Sequence, residues 1–295
     1  MYELIIIGGG PAGSAAGIYA ARKKLKTLLL AKDFIGQAGR AGVIENWPGE
    51  KEILGPDLMN KFEDHLRSYD IEIKEEEVLS VEEGFKVKTE SGEYSSKAVL
   101  VVSGRKPRAL SVPGEEDFVG KGVVYCTTCD APLFQDKVVV VVGGGNAGLE
   151  SAIELTDYTK TVYLFEASST IIGDEFLKEK AENRGVKIFT NRKITEIRGS
   201  AFLEEIDYEE DGEKDTLKVD GLFIQVGSLP ITSFLGDLVD YSERGDIKID
   251  ARTFQTKTEG IFAAGDVTDV KYRQVVIATG EGVKATLSAY DYLKK

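Results

Sequence analysis

The residues with the clearest chemistry are two cysteines and the acid that follows them. Cys126 and Cys129 are the only cysteines in 295 residues, and Asp130 comes directly after them. The two-residue spacing lets the sulfurs form a disulfide and lets one thiolate be stabilised by its neighbour. A carboxyl group beside the pair can move a proton when the disulfide opens. The pattern predicts a redox-active dithiol with Asp130 as acid–base group. Half of a metal site and a pair of inert buried thiols are the alternatives.

Two glycine patterns of the form Gly-x-Gly-x-x-Gly each follow an apolar run and precede a stretch of small and apolar residues. The first glycine allows a tight turn, the second lets the backbone approach a pyrophosphate, and the third lets helix and strand pack closely. We therefore expect two dinucleotide sites, although a purely structural glycine turn is the alternative. Their binding residues are predicted to be Gly8, Gly10 and Gly13 in the first pattern, and Gly143, Gly145, Asn146 and Gly148 in the second.

An acid at the end of a predicted strand indicates which nucleotide the second site takes. Glu166 follows the apolar run 161–165, and no Arg or Lys lies between Ala167 and Asp174. A carboxylate there can accept hydrogen bonds from a ribose 2′-hydroxyl and would repel a 2′-phosphate. The sequence thus favours NADH over NADPH, unless Glu166 is only a solvated strand end. In the first half, Asp33 is the nearest candidate for the same role.

Repetition of the strand–glycine–helix pattern predicts the fold class: α/β, with two Rossmann-like dinucleotide-binding domains. The continuous apolar runs 26–30 and 161–165 indicate buried parallel strands. Alternating patterns at 71–94 and 194–219 predict an antiparallel β insert in each half.

The domain order is expected to be discontinuous. Pro113-Gly114 marks a first crossover between domains, and the run 241–245 marks a second. The segment after it has a predicted strand at 260–266 and a predicted helix at 277–293, and is too short to fold alone. We expect residues 1–112 and 244–295 to form one domain and 113–243 to form the other, which carries the cysteines.

Composition excludes several classes of function. A net charge of −13 disfavours nucleic-acid and anionic-membrane partners. The single histidine, His65, lies in a charged helical stretch where a surface position is expected, which disfavours a Ser-His-Asp hydrolase and a four-ligand zinc site. The apolar run Leu4–Ile7 is too short for a leader, and no stretch approaches a membrane helix, so we expect a cytoplasmic protein.

One further acid lies near the C-terminus, in the run Ala263-Ala264-Gly265-Asp266. An acid beside a glycine at a strand end suits a ribityl or ribose hydroxyl. A loop-capping Asp is the alternative reading.

Together these residues resemble the low-molecular-weight thioredoxin reductase family from end to end. Within it, the likeness is greatest to the reductase portion of alkyl hydroperoxide reductase flavoproteins. The resemblance is carried by GGGPAG (8–13), ENWPG (45–49), YCTTCDAPLF (125–134), GGGNAGLESAIEL (143–155), FIQVGSLP (223–230), GIFAAGDVTDVKYRQVVIATGEG (260–282) and LSAYDYL (287–293).

The resemblance implies an FAD domain split by a nicotinamide-nucleotide domain, in a homodimer. Electrons would pass from nicotinamide to FAD, to the cysteine pair, and on to a protein disulfide. Carried over, Cys129 faces the flavin, Cys126 attacks the partner disulfide, and Asp130 is the acid–base group. The implied FAD contacts are Gln37, Asn46, Gly104, Gly265, Asp266, Gln274 and Val275.

Two departures from the family pattern refine the expectation. Glu166-Ala167-Ser168-Ser169 stands where NADPH-specific relatives carry a basic stretch, in agreement with NADH. The peroxide-reductase flavoproteins carry an N-terminal thioredoxin-like extension, whereas this sequence starts at the FAD strand. We therefore expect its dithiol to reduce a separate thioredoxin- or glutaredoxin-like protein. The alternatives are an NADH oxidase that makes hydrogen peroxide, a ferredoxin-fed reductase, which the intact second glycine pattern disfavours, and a flavin-binding redox sensor without turnover.

Overall fold

The computed structural model describes residues 1–41, 43–44 and 46–295, except for the side chain of Val43. Glu45, in the ENWPG run, lies outside these residues. The chain divides into two compact units: unit 1 comprises Met1–Lys106 and Leu229–Lys295, and unit 2 comprises Pro107–Ser228.

The elements are numbered in chain order. The strands are β1 (Leu4–Ile7), β2 (Thr27–Leu30), β3 (Val43–Ile44), β4 (Ile53–Leu54), β5 (Glu72–Lys74), β6 (Val78–Glu82), β7 (Lys86–Thr89), β8 (Glu93–Ser95), β9 (Ala98–Val101), β10 (Arg105–Pro107), β11 (Val123–Val124), β12 (Val138–Val142), β13 (Thr161–Phe165), β14 (Lys187–Phe189), β15 (Arg192–Gly199), β16 (Leu203–Glu210), β17 (Glu213–Lys218), β18 (Gly221–Ile224), β19 (Ser228–Pro230) and β20 (Ile261–Ala263). The helices are α1 (Pro11–Arg22), α2 (Gly55–Arg67), α3 (Thr127–Asp130), α4 (Asn146–Leu155), α5 (Glu175–Asn183) and α6 (Val275–Leu293).

Unit 1 is built on a five-stranded sheet in the order β20-β9-β1-β2-β5, and all its pairs are parallel. Every residue of β1, β2, β9 and β20 is buried, as continuous apolar runs predict for strands covered on both faces. Helices α1 and α6 pack closely, since a Cβ on Gly282 would lie 2.1 Å from the carbonyl oxygen of Ala12. The C-terminal strand and helix therefore complete the first sheet.

Unit 2 repeats this design with the order β11-β18-β12-β13-β14, again with all pairs parallel. Each unit also carries a three-stranded antiparallel sheet, β6-β7-β8 in unit 1 and β15-β16-β17 in unit 2. Two parallel sheets with antiparallel inserts confirm the predicted fold class.

One strand differs from the prediction. The alternating stretch 71–94 predicts a wholly antiparallel insert, but its first strand, β5, pairs parallel with β2 at the edge of the main sheet. An edge strand is covered less than a central one, so it can alternate in sequence and still belong to a parallel sheet. As predicted, His65 is exposed on α2.

The two points at which the chain crosses from one unit to the other lie earlier in the structure than the sequence predicts. They fall at 106/107 and 228/229, inside the paired strands β10 and β19, instead of at 112/113 and 243/244. The second difference has a packing cause. Phe234, Leu235 and Val239 are buried against residues of β1, β9 and β20, so residues 229–243 belong to unit 1. Likewise, Leu110 and Val112 pack on the core of unit 2.

None of the helices in the described part of the chain combines the length and apolar character that a membrane crossing needs.

Candidate functional site

The first glycine loop joins β1 to α1, and two of its glycines, Gly8 and Gly13, have no room for a side chain. Gly8 has φ +122°, and its N–H donates to the carbonyl oxygen of Leu30 at 2.8 Å. A Cβ at Gly8 would lie 2.3 Å from the carbonyl oxygen of Val102, and one at Gly13 would lie 1.9 Å from that of Gly8. These two glycines are therefore required by the turn and by strand–helix packing.

Gly10 is different, because the space beside it is open. Among the described residues, no atom outside Gly10 and its two chain neighbours lies within 4 Å of the position that its Cβ would take. Gly10 is the N-cap of α1 and supplies no side-chain oxygen to the first N–H groups of the helix, and Pro11 follows it. An uncapped helix start beside an open backbone face is an anion-binding arrangement. The loop thus fits the pyrophosphate of a dinucleotide.

The second loop, between β12 and α4, has the same geometry. Gly143 has φ +115°, and its N–H donates to the carbonyl oxygen of Phe165 at 2.9 Å. A Cβ at Gly148 would lie 1.8 Å from the carbonyl oxygen of Gly143, whereas one at Gly145 would meet nothing within 4 Å. Gly145 is the N-cap of α4, also without a side-chain cap. This loop too fits a dinucleotide.

Glu166 lies against the second loop with both carboxylate oxygens placed by the backbone. Oε2 accepts a hydrogen bond from the N–H of Gly144 at 2.6 Å, and Oε1 accepts one from the N–H of Ser168 at 2.7 Å. Next to it, Asn146 exchanges two bonds with Asp174, each of 2.8 Å. A fixed negative charge therefore borders the loop, at the end of β13.

In unit 1, Ala31 occupies the place that corresponds to Glu166. Added Cβ atoms at Gly9 and Gly144 would lie 2.9 and 3.1 Å from the Cβ atoms of Ala31 and Glu166, so Ala31 is the counterpart of Glu166. Asp33 lies two residues further on, and its Oδ1 accepts from the N–H groups of Ile35 and Gly36 at 3.0 Å each. Asp33 thus caps its own loop, and its role toward a ribose stays a prediction.

Several predicted FAD contacts in unit 1 are joined by side-chain hydrogen bonds. Asn46 Nδ2 donates to Gln274 Oε1 at 3.0 Å across 228 residues, and Gln37 Nε2 donates to the carbonyl oxygen of Arg105 at 3.0 Å. All three amide side chains belong to exposed residues. Val275 is the first residue of α6, directly after Gln274. The structure therefore brings together residues from both chain segments of unit 1.

The turn at Gly265 and Asp266 is held by a second acid that the sequence analysis did not single out. Gly265 has φ +73°, and its N–H donates to Glu281 Oε2 at 2.9 Å. Burial raises the pKa of Asp266 above its usual range, although Arg273 and Arg105 act in the opposite direction. Gly104 also has a positive φ, +66°, and open space at its Cβ position. Glu281 lies 16 residues from Gly265, and no spacing rule connects them.

Cys126 and Cys129 form a disulfide in unit 2, with their Cα atoms 5.4 Å apart. Cys126 is the N-cap of the one-turn helix α3, and its Sγ accepts from the N–H of Cys129 at 3.3 Å. Cys126 is half-buried and Cys129 is exposed. Burial raises the pKa of the Asp130 carboxyl, so it holds a proton to higher pH than a free aspartate. The group next to the disulfide is thus suited to donate a proton.

Two acids near the disulfide segment are absent from the sequence prediction. Thr128 Oγ1 donates to Glu154 Oε2 on α4 at 3.3 Å, and burial raises the pKa of Glu154. Glu115 is 2% exposed and accepts a hydrogen bond from Tyr125, the residue before Cys126, at 2.6 Å. Because these pairs are 26 and 10 residues apart, only the folded chain reveals them. The described residues contain no group of three or more His, Cys, Asp or Glu side chains that could hold a metal ion.

Comparisons with known proteins place this geometry in a family. A family model for pyridine nucleotide-disulphide oxidoreductases matches residues 2–282. The F component of alkyl hydroperoxide reductase from Staphylococcus aureus is 42% identical over 300 residues, which cover 99% of this chain and 59% of that protein. The chain thus spans less than two thirds of the length of this curated relative.

Two solved structures match over nearly their whole length. Thioredoxin reductase of T. acidophilum is 36% identical with a TM-score of 0.92, and the match covers 98% of both chains. That of Lactococcus lactis, in its FR conformation, is 32% identical with a TM-score of 0.95, covering 100% of this chain and 99% of the other. The chain therefore belongs to the pyridine nucleotide-disulphide oxidoreductase family, and it shares its fold and sequence with thioredoxin reductases over its whole length.

Proposed function

We propose that this protein is an NADH-dependent disulfide reductase that passes electrons through FAD and the Cys126–Cys129 pair to a thioredoxin- or glutaredoxin-like protein. The observation that carries the proposal is that one chain joins two open dinucleotide loops to a disulfide with a protonatable acid beside it. One loop suits a bound FAD and the other a nicotinamide nucleotide that comes and goes.

The preference for NADH rests on Glu166. Its carboxylate is held against the second loop by the N–H groups of Gly144 and Ser168. A ribose 2′-hydroxyl can donate to such a group, whereas a 2′-phosphate would bring like charges together. The residues between Ala167 and Asp174 include no cation to offset that repulsion.

Bound FAD would supply the change from two-electron hydride chemistry to thiol–disulfide exchange. The residues of this chain carry out the exchange. The reduced Cys126 thiolate attacks one sulfur of the partner disulfide, and the displaced thiolate takes the proton of Asp130. The Cys129 thiol then gives its proton to the Asp130 carboxylate and attacks the Cys126 sulfur as a thiolate. The internal disulfide re-forms, and the second partner thiolate leaves and takes that proton from Asp130, so that the partner is released as a dithiol. The partner gains two electrons and the cysteine pair loses two.

The roles of the two cysteines need a direct test. Cys126 is proposed to attack the partner disulfide, yet in the internal disulfide Cys129 is exposed and Cys126 is half-buried. In a Cys129→Ser variant, Cys126 should form a stable mixed disulfide with the partner. A variant with Cys126→Ser should not. Trapping of the partner by Cys129 alone would reverse the assignment.

The partner is proposed from chemistry and from the names of the relatives. Thioredoxin reductases share this fold over the whole chain, and the net charge of −13 favours a partner with basic or neutral residues around its disulfide. A homodimer is proposed on the resemblance alone.

The proposal is tested by anaerobic NADH consumption in the presence of an oxidised thioredoxin-like protein, with the appearance of partner thiols measured in parallel. We expect one NADH to be consumed per disulfide reduced, and no partner reduction by the Cys126→Ser/Cys129→Ser variant. If NADH is consumed only after oxygen is admitted, and equally by that variant, the protein is instead an oxidase. If neither NADH nor NADPH reduces the flavin, a ferredoxin-fed enzyme or a sensor takes its place.

A further inference from the structure

A buried ion pair joins the two chain segments of unit 1. The Arg105 guanidinium contacts the Asp246 carboxylate through Nη1 and Oδ1, and the two side chains are only 7% and 5% exposed. They are separated by 141 residues, one in each segment of the unit. By contrast, the side chains of the Lys257–Asp240 pair in the same unit are 42% and 59% exposed.

Burial of two charges is poorly explained by stability alone. Removing both groups from water costs free energy that their attraction repays only with excellent geometry, and apolar side chains of similar volume often stabilise a core as well. A buried pair can instead hold neighbouring segments of the chain in one arrangement. The hydrogen bonds around Arg105 and Asp246 show which segments these are.

Both members of the pair bond to residues at the proposed FAD site. Arg105 Nη1 donates to the carbonyl oxygen of Asp266 at 3.3 Å, and the carbonyl oxygen of Arg105 accepts from Gln37 Nε2 at 3.0 Å. Asp246 Oδ1 also accepts from Arg273 Nη2 at 3.3 Å, and Arg273 directly precedes Gln274. The pair thus touches three of the loops that carry predicted FAD contacts.

The Asp246 carboxylate is itself fixed from its own side. Ser242 Oγ lies 3.3 Å from Oδ2, and the N–H of Asp246 donates to Ser242 Oγ at 3.2 Å. The strand bridge between Ile247 and Thr268 lies beside it, next to the Gly265–Val267 turn. Asp246 therefore sits on a rigid support and can act as an anchor for the two arginines.

We infer that Arg105 and Asp246 are positioning residues for FAD: their ion pair holds the Asp266 and Gln274 loops, and the main chain of Arg105 to which Gln37 bonds, in a ligand-ready arrangement. The inference rests on the proposed function, because it takes unit 1 as the FAD site. Lysine at position 105 would keep the charge but replace the rigid guanidinium plane, whose Nη1 contacts both Asp246 and the Asp266 carbonyl, with an ammonium on a flexible stem.

The test separates positioning from stability. The double variant Arg105→Met/Asp246→Leu replaces the pair with apolar side chains, and Lys257→Met/Asp240→Leu is the matched exposed control. FAD dissociation constants are measured with apoproteins by quenching of flavin fluorescence, and urea unfolding midpoints are measured on the same apoproteins. We expect the buried double variant to bind FAD at least tenfold more weakly with an unfolding midpoint like that of the wild type, and the control to change neither.

An unchanged FAD affinity in the buried double variant would overturn the inference, and so would a weaker affinity that simply follows a lower unfolding midpoint. If the double variant does not fold, Arg105→Lys decides in its place. It should fold as the wild type does and bind FAD severalfold more weakly, and equal affinity would refute the positioning role. Failure of the wild type to bind FAD would instead refute the proposed function.

Discussion

The glycine loops at residues 8–13 and 143–148 hold their backbones in nearly the same way. Their first glycines have φ +122° and +115°, and their last ones would clash with a carbonyl oxygen at 1.9 and 1.8 Å if they carried a Cβ. The surroundings differ. The first loop lies beside Ala31, in the unit whose two chain segments are joined by the buried Arg105–Asp246 ion pair. The second loop lies beside Glu166, in the unit that contains the disulfide. We propose that the same loop geometry serves a resident cofactor in unit 1 and an exchanging one in unit 2, depending on its neighbours.

The strongest test of this contrast removes the chemistry found only in unit 2. Replacing Cys126 with Ser should lower partner reduction by about 10³-fold or more, because the thiol assigned to attack the partner disulfide is lost. FAD content and the rate of flavin reduction by NADH should stay as in the wild type. The measurements are steady-state partner reduction and stopped-flow flavin absorbance. A comparable loss in flavin reduction would mean that the functions of the two units are not separable.

A smaller loss is expected when Asp130 becomes Asn. General acid catalysis contributes about a hundredfold, so single-turnover partner reduction by the pre-reduced enzyme should fall by about that factor. Burial raises the pKa of Asp130, so the acid form persists to higher pH than usual and is lost as pH rises through the raised value. The wild-type rate should therefore fall with rising pH in that range, and the Asn variant should lack this limb. Glu154→Gln is the control: if it removes the limb, the titrating group has been misassigned.

The matched variants Gly10→Ala and Gly145→Ala test the roles of the two glycine loops directly. Beyond the two chain neighbours, a methyl group at either site meets no atom of the described residues within 4 Å, so the fold should be unaffected and only the ligand obstructed. Losing close approach to a pyrophosphate should cost about 2 kcal/mol, or roughly thirtyfold in affinity. Gly10→Ala should weaken FAD binding alone, and Gly145→Ala should raise the KM for NADH alone. Crossed effects, measured by fluorescence titration and kinetics, would break the assignment of the loops.

The smallest effect is expected at Glu166. Glu166→Gln removes the charge and should raise the KM for NADH about tenfold, the cost of about one charged hydrogen bond. The KM for NADPH should fall, because repulsion of the 2′-phosphate is relieved. Steady-state kinetics with both nucleotides measures the ratio. An unchanged ratio would leave Glu166 as a support for the loop and nothing more.

Sequence patterns predict the local features of this molecule well. Both glycine loops, the strand before Glu166 and the cysteine pair depend on residues close together in the chain, where spacing and conformation are directly linked. Residues 229–243 pack with unit 1, whereas the sequence predicts the second boundary at 243/244, because the burial of Phe234, Leu235 and Val239 depends on strands distant in the chain, β1 and β9 among them. The Arg105–Asp246 pair and the Glu154–Thr128 bond escape prediction for the same reason, since neither leaves a periodic or spaced signal in sequence.

The most direct test of the account is an anaerobic titration of the FAD-loaded protein with NADH, followed by flavin absorbance. FAD accepts two electrons and the Cys126–Cys129 disulfide accepts two more, so full bleaching should take two NADH per flavin in the wild type. The Cys126→Ser/Cys129→Ser variant should take one, and NADPH should act much more weakly on both. One NADH per flavin in both proteins would show that the disulfide does not take electrons from the flavin, and would contradict the account.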